Sequence, residues 1–204
     1  NVAPITAGGG AIKTGGANPA GILVFHNTFI AELSNIFGHS NSHYRNNLVI
    51  GTNNPTKPVL GSLTYTSYTS FDYNGWRPNG GDGPQFIWKA PGRGVTSDFS
   101  LTNTEPETFR TLDQFQRGTG QEAHGRLVDY DIFQNVRPPD PSDPHRVYEI
   151  GDLDFRLREG GRAVDAGIRL PNFNDGFNGR APDLGALEVG QAPPIYGPRR
   201  RSEQ

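Results

Sequence analysis

Five side chains that could contact a ligand fall within one repeated pattern. Residues 25–30 align with residues 44–49, and looser copies begin at Asp72 and Asp129. Arginine and histidine pair with carboxylates, whereas tyrosine and tryptophan stack on sugar rings. The copies therefore predict a column of side chains that binds polysaccharide, and the alternative is a solvated polar column without a ligand. The column consists of His26, Arg45, Tyr73, Trp76 and Tyr130.

Each copy reads as a short strand with an Asn or Asp near its end. Such units, repeated about every 20 residues, are typical of a solenoid in which each turn adds one strand to a parallel sheet. Neighbouring strands lie about 4.8 Å apart, so matching side chains would form continuous columns. A register slip of one residue would exchange the two faces. We therefore expect an all-β fold, a right-handed parallel β-helix with a C-terminal cap.

Composition agrees with many short strands joined by turns. The 204 residues include 27 Gly and 17 Pro, and only 33% are hydrophobic. This is too rich in turns for a helical protein and too patterned for a disordered one. The net charge of -2 argues against nucleic acid as a partner, although Arg199, Arg200 and Arg201 make the tail locally basic. Without Cys there is no disulfide, thiolate metal site or cysteine nucleophile.

The chain divides into three predicted segments. Residues 1–150 are expected to form the C-terminal coils of a β-helix with inserted loops, residues 151–190 the final coil and cap, and residues 191–204 a flexible tail. The sequence begins at Asn1 without Met, which suggests a processed chain or a C-terminal piece. The missing N-terminal remainder or other subunits would then be partners. We expect no direct membrane insertion, because no apolar run is long enough for a membrane segment.

One helix is predicted over residues 108–116. Thr108 or Thr111 could cap its start, and Gly118 and Gly120 would end it. Its apolar residues recur at three-residue spacing, at Phe109, Leu112 and Phe115. The helix would interrupt the repeated strands once.

Two groups of residues could bind a metal ion. His39 and His43 could act as ligands or as an acid and a base, although hydrogen-bonded histidines in a turn are the favoured interpretation. The second group alternates Asn and Asp before a Gly, as in a calcium loop, but lacks the closing Glu. It predicts a Ca²⁺ site, with an Asx-rich turn as the alternative. Its members are Asn172, Asn174, Asp175 and Asp183.

Carboxylate pairs suggest a second kind of chemistry. A glycosidase needs two carboxylates, and Asp129 could act with Asp72 or with Asp131. Their positions in the repeat favour a structural role instead. Glu122 and His124 are interpreted as structural members of a turn. No P-loop, dinucleotide fingerprint or nucleophile elbow is present.

The end of the chain resembles a known group of proteins. Residues 154–157, 163–167 and 181–188 read DFRL, AVDAG and APDLGALE, an ending similar to that of secreted right-handed parallel β-helix repeat proteins. Residues 112–116 and 119–125 are similar to a helix and turn that often precede the last coils of that group. The group includes relatives of polysaccharide lyases. Such lyases commonly use a Lys base and an Arg acid, and no such motif is matched here.

The resemblance and the predicted column imply the same function. We expect a protein in the extracellular space or the cell envelope that engages polysaccharide, as the C-terminal part of a lyase-like or glycoside hydrolase-like enzyme. The alternative is a non-catalytic structural or adhesive solenoid in a cell-surface assembly.

Overall fold

A computed structural model describes residues 2–3, 11–14, 18–92, 95, 105–140, 142–143 and 146–193. Within these residues, two 3-10 helices span Tyr130–Ile132 and Ile150–Asp152. The strands and the α-helix are, in chain order, β1 Val2–Ala3, β2 Leu23–Phe25, β3 Thr28–Phe29, β4 Leu33–His39, β5 His43–Arg45, β6 Leu48–Ile50, β7 Leu60–Thr64, β8 Ser70–Asp72, β9 Gly75–Arg77, β10 Phe86–Lys89, β11 Glu107–Phe109, α1 Leu112–Thr119, β12 Arg126–Leu127, β13 Phe133–Asn135 and β14 Asp154–Leu157.

Parallel pairing between successive copies is confirmed. One sheet has the order β2-β5-β8, a second β1-β3-β6-β9-β12, and a third contains β4, β7 and β10 in parallel. Val24 lies beside Tyr44, and Tyr44 lies beside Phe71. Each sheet therefore collects one short strand from each successive copy of the pattern.

The prediction of a single all-β parallel β-helix with a C-terminal cap is wrong. The strands form several separate sheets and, among the described residues, do not close into one solenoid. Strand β11 runs antiparallel to β10, α1 follows it, and β13 and β14 form a separate antiparallel pair. The fold is a mixed α/β fold that is mostly β. The third sheet stops adding parallel strands at β10, because β11 turns back to pair with it antiparallel, whereas β12 still adds a parallel strand to the second sheet.

The predicted alignment of the copies is shifted by one residue. Phe25 pairs with Arg45, and Arg45 pairs with Asp72, so His26 does not match Arg45. Each of these strands is followed by a residue with positive φ: 52° at His26, 56° at Asn46 and 55° at Tyr73. These three residues form the corners between the first and second sheets. The slip exchanges inward and outward positions, as expected for a side-chain period of two.

Two apolar clusters occupy the interior. In the first, the rings of Tyr44 and Phe71 stack with centroids 4.1 Å apart, and Phe115 of α1 stacks on Phe86. The second contains Leu48 of β6 and Leu184, so the C-terminal part of the chain packs against the parallel sheets. The two clusters lie on opposite sides of the second sheet, because Val49 belongs to the first cluster and its neighbours Leu48 and Ile50 belong to the second.

Helix α1 confirms the predicted helix in part. Thr111 caps it by accepting a hydrogen bond from the Gln114 N–H, and Gly120 ends it with φ 71°. It begins later than predicted because Glu107–Phe109 pair with β10 as a strand. No helix in the described part of the chain is long and apolar enough to cross a membrane.

A column of buried amides runs beneath the corners. Asn27 Nδ2 donates to Asn47 Oδ1 at 3.1 Å, Asn47 Nδ2 donates to Asn74 Oδ1 at 2.9 Å, and Asn74 Nδ2 donates to a Glu122 carboxyl oxygen at 2.6 Å. We call these four residues the amide ladder. Its fourth position is held by Glu122 from the turn after α1, and not by the fourth predicted copy near Asp129.

Candidate functional site

The outward side of the β2-β5-β8 sheet carries a row of chemically versatile side chains. On each strand every second residue faces the same side of the sheet, and the strand register aligns these residues into columns. The inward column is Val24, Tyr44 and Phe71. The outward columns are Leu23, His43 and Ser70, and beside them Phe25, Arg45 and Asp72. We call these two outward columns, with Tyr73 and His124, the outer face.

Arg45 is held at the centre of the outer face. Its Nη1 donates to the Tyr44 carbonyl at 2.8 Å and the Ser70 carbonyl at 3.0 Å, and its Nη2 donates to Ser70 Oγ at 2.7 Å. Burial lowers the pKa of the guanidinium, and Asp72 and Glu122 oppose that shift. The group stays charged. Of its five N–H donors, the described residues use three, so two can serve a ligand.

Asp72 orients His124 at one end of the outer face. The Asp72 Oδ2 lies 2.9 Å from His124 Nδ1, and Oδ1 accepts from the His124 backbone N–H at 2.8 Å. In neutral His124 the proton therefore belongs on Nδ1, which leaves Nε2 as an acceptor. The Tyr73 ring stacks on the imidazole with centroids 4.3 Å apart. The arrangement is an imidazole base held by a carboxylate, with an aromatic surface beside it.

His43 and Ser70 form a second polar pair on neighbouring strands. His43 Nδ1 lies 2.9 Å from Ser70 Oγ, the same oxygen that accepts from Arg45. Burial lowers the pKa of His43, and the Arg45 charge lowers it further. His43 is therefore neutral near pH 7 and can accept a proton from the hydroxyl.

Aromatic side chains border the opposite end of the outer face. The Phe25 and Phe173 rings meet edge to face with centroids 5.3 Å apart, and Phe173 is 65% exposed. A groove of about 300 Å³ runs beside Phe173. The groove lies within the volume range of small ligand sites. Its lining includes His26, Phe173, Asn174, Phe177, Leu187 and Gln191.

His26 lies at the border of this groove and anchors the C-terminal part of the chain. Its Nε2 accepts from Asn46 Nδ2 at 2.9 Å and Asn174 Nδ2 at 2.7 Å, and its Nδ1 lies 3.3 Å from the Gly185 carbonyl. Burial lowers the pKa of His26, partly opposed by the Gly185 carbonyl and Asp183. Both ring nitrogens are engaged, so the imidazole has a structural role here.

The predicted ligand-binding column is only partly brought together. Arg45 and Tyr73 lie on the outer face, and His26 lies at its border. Trp76 is 0% exposed and Tyr130 is 5% exposed, so neither can contact a ligand from solvent. Trp76 faces the aromatic cluster, and Tyr130 packs under the Arg77 guanidinium, 4.8 Å from its ring centroid. These two residues therefore do not join the predicted column, because strand β9 holds Trp76 inward and the 3-10 helix Tyr130–Ile132 holds Tyr130 inward.

Three of the four residues of the predicted Ca²⁺ site, Asn174, Asp175 and Asp183, use their side chains in other contacts. Asp175 pairs with Arg169 and accepts from the Asn172 backbone N–H. Asp183 accepts from two backbone N–H groups, those of Asp165 and Val189. Asn174 bonds His26. The oxygens of Asn174, Asp175 and Asp183 accept from different backbone N–H groups, and the described residues contain no group of three His, Asp or Glu side chains suited to a metal ion.

Two of the remaining predicted pairs, His39 with His43 and Asp72 with Asp129, are engaged with other partners. His39 is buried, with Nε2 3.0 Å from Ser62 Oγ and with its pKa lowered to about 4 by burial, whereas His43 lies on the outer face. Asp129 pairs with Arg77 at 2.6 Å, and Asp72 pairs with His124. The two histidines are therefore not joint metal ligands, and the two aspartates are not a glycosidase pair.

Sequence reasoning missed the two polar pairs of the outer face, His43 with Ser70 and Asp72 with His124. Ser70 stands in a run of Thr, Tyr and Ser with nothing to distinguish it, and His124 lies 52 positions from Asp72. The correct one-residue register would have placed Ser70 beside His43. Nothing in the sequence signals the contact between Asp72 and His124.

Comparisons with known proteins add no relative. No family model matches the chain. Neither a curated protein nor a solved structure matches it. The resemblance to secreted β-helix repeat proteins therefore stays a prediction, and any function must be argued from the outer face itself.

Proposed function

We propose that the outer face binds an acidic polysaccharide. The observation that carries this proposal is Arg45, a fixed cation at the centre of the row with two N–H donors that the described residues leave unused. A guanidinium with two adjacent donors suits a carboxylate or sulfate group. Imidazoles at His43 and His124 can add hydrogen bonds to sugar hydroxyls.

Aromatic groups at both ends extend the proposed site beyond one sugar unit. Phe25 and Phe173 lie on the β2 side, and the stacked Tyr73 and His124 rings lie on the β8 side. The strands between them span about 10 Å, since each spacing is about 4.8 Å. A chain of sugar units could therefore stack on an aromatic ring at each end while its charged group meets Arg45.

The experiment is a binding titration with charged and neutral glycans. The titration would compare neutral dextran with three charged glycans: alginate, polygalacturonate and a glycosaminoglycan. Calorimetry would measure the heat of binding. Arg45→Ala should weaken binding to the charged glycans about tenfold or more, because a charge-assisted hydrogen bond contributes about 1.5–3 kcal/mol. Arg110→Ala, an exposed arginine on another surface, is the matched control.

Equal binding of dextran and the charged glycans would contradict the acidic preference. Absence of binding to all four glycans would overturn the proposal and favour a structural or adhesive role in a surface assembly. Rising salt should weaken the specific binding, because the central contact is ionic and partly exposed. An extracellular or cell-envelope location is the setting in which such polymers would be met.

A lyase activity is the second candidate, and the contact between Asp72 and His124 favours it. Elimination needs a base for the proton beside the carboxylate and a cation for the carboxylate, roles open to His124 and Arg45. A hydrolase is less well supported, because the described part of the outer face carries a single aspartate and not a carboxylate pair. Ultraviolet absorbance of unsaturated uronate ends would appear with native protein if the lyase proposal holds. A flat signal with retained binding would remove it.

A further inference from the structure

Ser70 differs from the other hydroxyls near it in being bonded to both a base and a cation. Its Oγ lies 2.9 Å from His43 Nδ1 and accepts from Arg45 Nη2 at 2.7 Å. Nearby hydroxyls are used internally: Ser42 Oγ donates to a backbone carbonyl, and Thr69 bonds Thr64 in the interior. Ser70 is only partly buried and sits on the outer face.

The directions of these hydrogen bonds prepare the hydroxyl for deprotonation. An arginine can only donate, so Ser70 Oγ must be an acceptor toward Arg45. Its own proton is then free for His43 Nδ1, which accepts it when the neutral ring carries its proton on Nε2. A nucleophile bonded to a base, with a nearby cation that stabilises negative charge, is the arrangement that acyl transfer requires.

We propose that Ser70, His43 and Arg45 form an acyl-transfer site that hydrolyses carboxylic esters. Ser70 Oγ attacks the ester carbonyl carbon while its proton passes to His43 Nδ1. The carbonyl oxygen gains negative charge next to the unused N–H donors of Arg45. The ester C–O bond then breaks, the alcohol oxygen takes the proton from His43, and the acyl group remains on Ser70.

Water completes the cycle. His43 Nδ1 takes a proton from water as the water oxygen attacks the acyl-serine carbonyl. The bond to Ser70 Oγ breaks, Ser70 regains a proton from His43, and a carboxylic acid leaves. The expected substrates are small acyl esters of alcohols, including acyl groups carried on sugar hydroxyls. Activity on a small ester does not depend on polysaccharide binding, so the two proposals can fail separately.

The test combines ester hydrolysis with covalent labelling of the full chain. Release of nitrophenol from p-nitrophenyl acetate should fall to the uncatalysed rate in Ser70→Ala and at least tenfold in His43→Asn. A fluorophosphonate probe should add to Ser70 in the unaltered protein, as located by mass spectrometry of its peptides. Ser142→Ala, on a remote exposed turn, is the control and should keep full activity and labelling.

Three outcomes of these assays would overturn the inference. These are unchanged hydrolysis in Ser70→Ala, probe addition at a residue other than Ser70, and labelling of Ser70 that His43→Asn does not slow. Ser70→Cys is of similar size and guards against a folding defect in the alanine variant. Its thiol should react with iodoacetamide faster than that of a Ser142→Cys control, because His43 and Arg45 favour the thiolate. Equal rates would also overturn the inference.

Discussion

The amide ladder and the outer face lie two residues apart along the same chain segments, yet they differ in how completely their polar groups are hydrogen-bonded. In the ladder, Asn47 uses both its side-chain oxygen and its nitrogen on neighbouring residues. On the outer face, Arg45 keeps two donors unused. A buried polar group without a partner costs about 1–3 kcal/mol, so the ladder must be complete. A group at the surface can leave some of its donors or acceptors to water, and a ligand can take the place of that water.

Among the substitutions, replacing Asn47 with alanine should lower the stability of the folded protein most. It would remove the hydrogen bonds that Asn47 makes to the Val24 carbonyl and the Asn27 backbone N–H. We expect the free energy of unfolding to fall by about 2–4 kcal/mol, measured by urea denaturation. Asn135→Ala is the matched control, because Asn135 is exposed and makes one side-chain hydrogen bond. Equal losses in both variants would contradict the contrast between the buried ladder and the surface.

Glu122 should make the stability of the ladder depend on pH. Burial raises the pKa of its carboxyl from 4.5 to about 8, partly opposed by hydrogen bonds from Asn74. The folded protein then holds a proton that the unfolded chain releases. Stability is fully present below the unfolded pKa of 4.5, falls as pH rises toward 8, and stays low above it. The total loss should be on the order of 5 kcal/mol, since each pKa unit corresponds to about 1.4 kcal/mol.

Glu122→Gln should remove this dependence of stability on pH. The amide oxygen can still accept from Asn74 Nδ2, but the weaker contact from the Asn74 backbone N–H at 3.2 Å is lost. The variant should therefore be about 1 kcal/mol less stable at acid pH and more stable than the unaltered protein at alkaline pH. Denaturation across pH would show the two curves crossing. Parallel curves would mean that Glu122 is not the titrating group.

Phe173→Ala should have the smallest effect and should act on binding alone. Phe173 is 65% exposed, so the free energy of unfolding should change by no more than about 0.5 kcal/mol. Loss of one stacking ring should weaken binding of the charged glycans about three- to tenfold. Calorimetry with the same glycans would measure the change. Unaltered affinity would restrict the proposed site to Arg45 and the β8 side.

The sequence predicted the parallel pairing of β2, β5 and β8 and the existence of α1. These features follow from local patterns: repeated short strands in one case, and spaced apolar residues with Thr111 and Gly120 in the other. It did not predict where the repeat ends. The pattern cannot tell that β11 turns back beside β10 while β12 still adds a parallel strand beside β9, because both arrangements bury apolar side chains.

Of the candidate site, the sequence identified Arg45 and Tyr73 but misjudged Trp76 and Tyr130. The alignment matched Asn27 with Asn46, whereas the structure pairs Asn27 with Asn47 in the ladder. An error of one residue is enough to exchange inside and outside. Two adjacent asparagines at the corner left both alignments equally reasonable.

The sequence by itself determined the local elements of this protein: short strands, turns rich in Gly and Asn, a capped helix, and no thiol chemistry. These depend on neighbours a few residues apart. Only the tertiary structure decided which polar groups meet. Ser70 meets His43 through strand register, and Asp72 meets His124 across 52 positions. Such contacts depend on how distant segments pack, and packing is a property of the whole chain that no local pattern encodes.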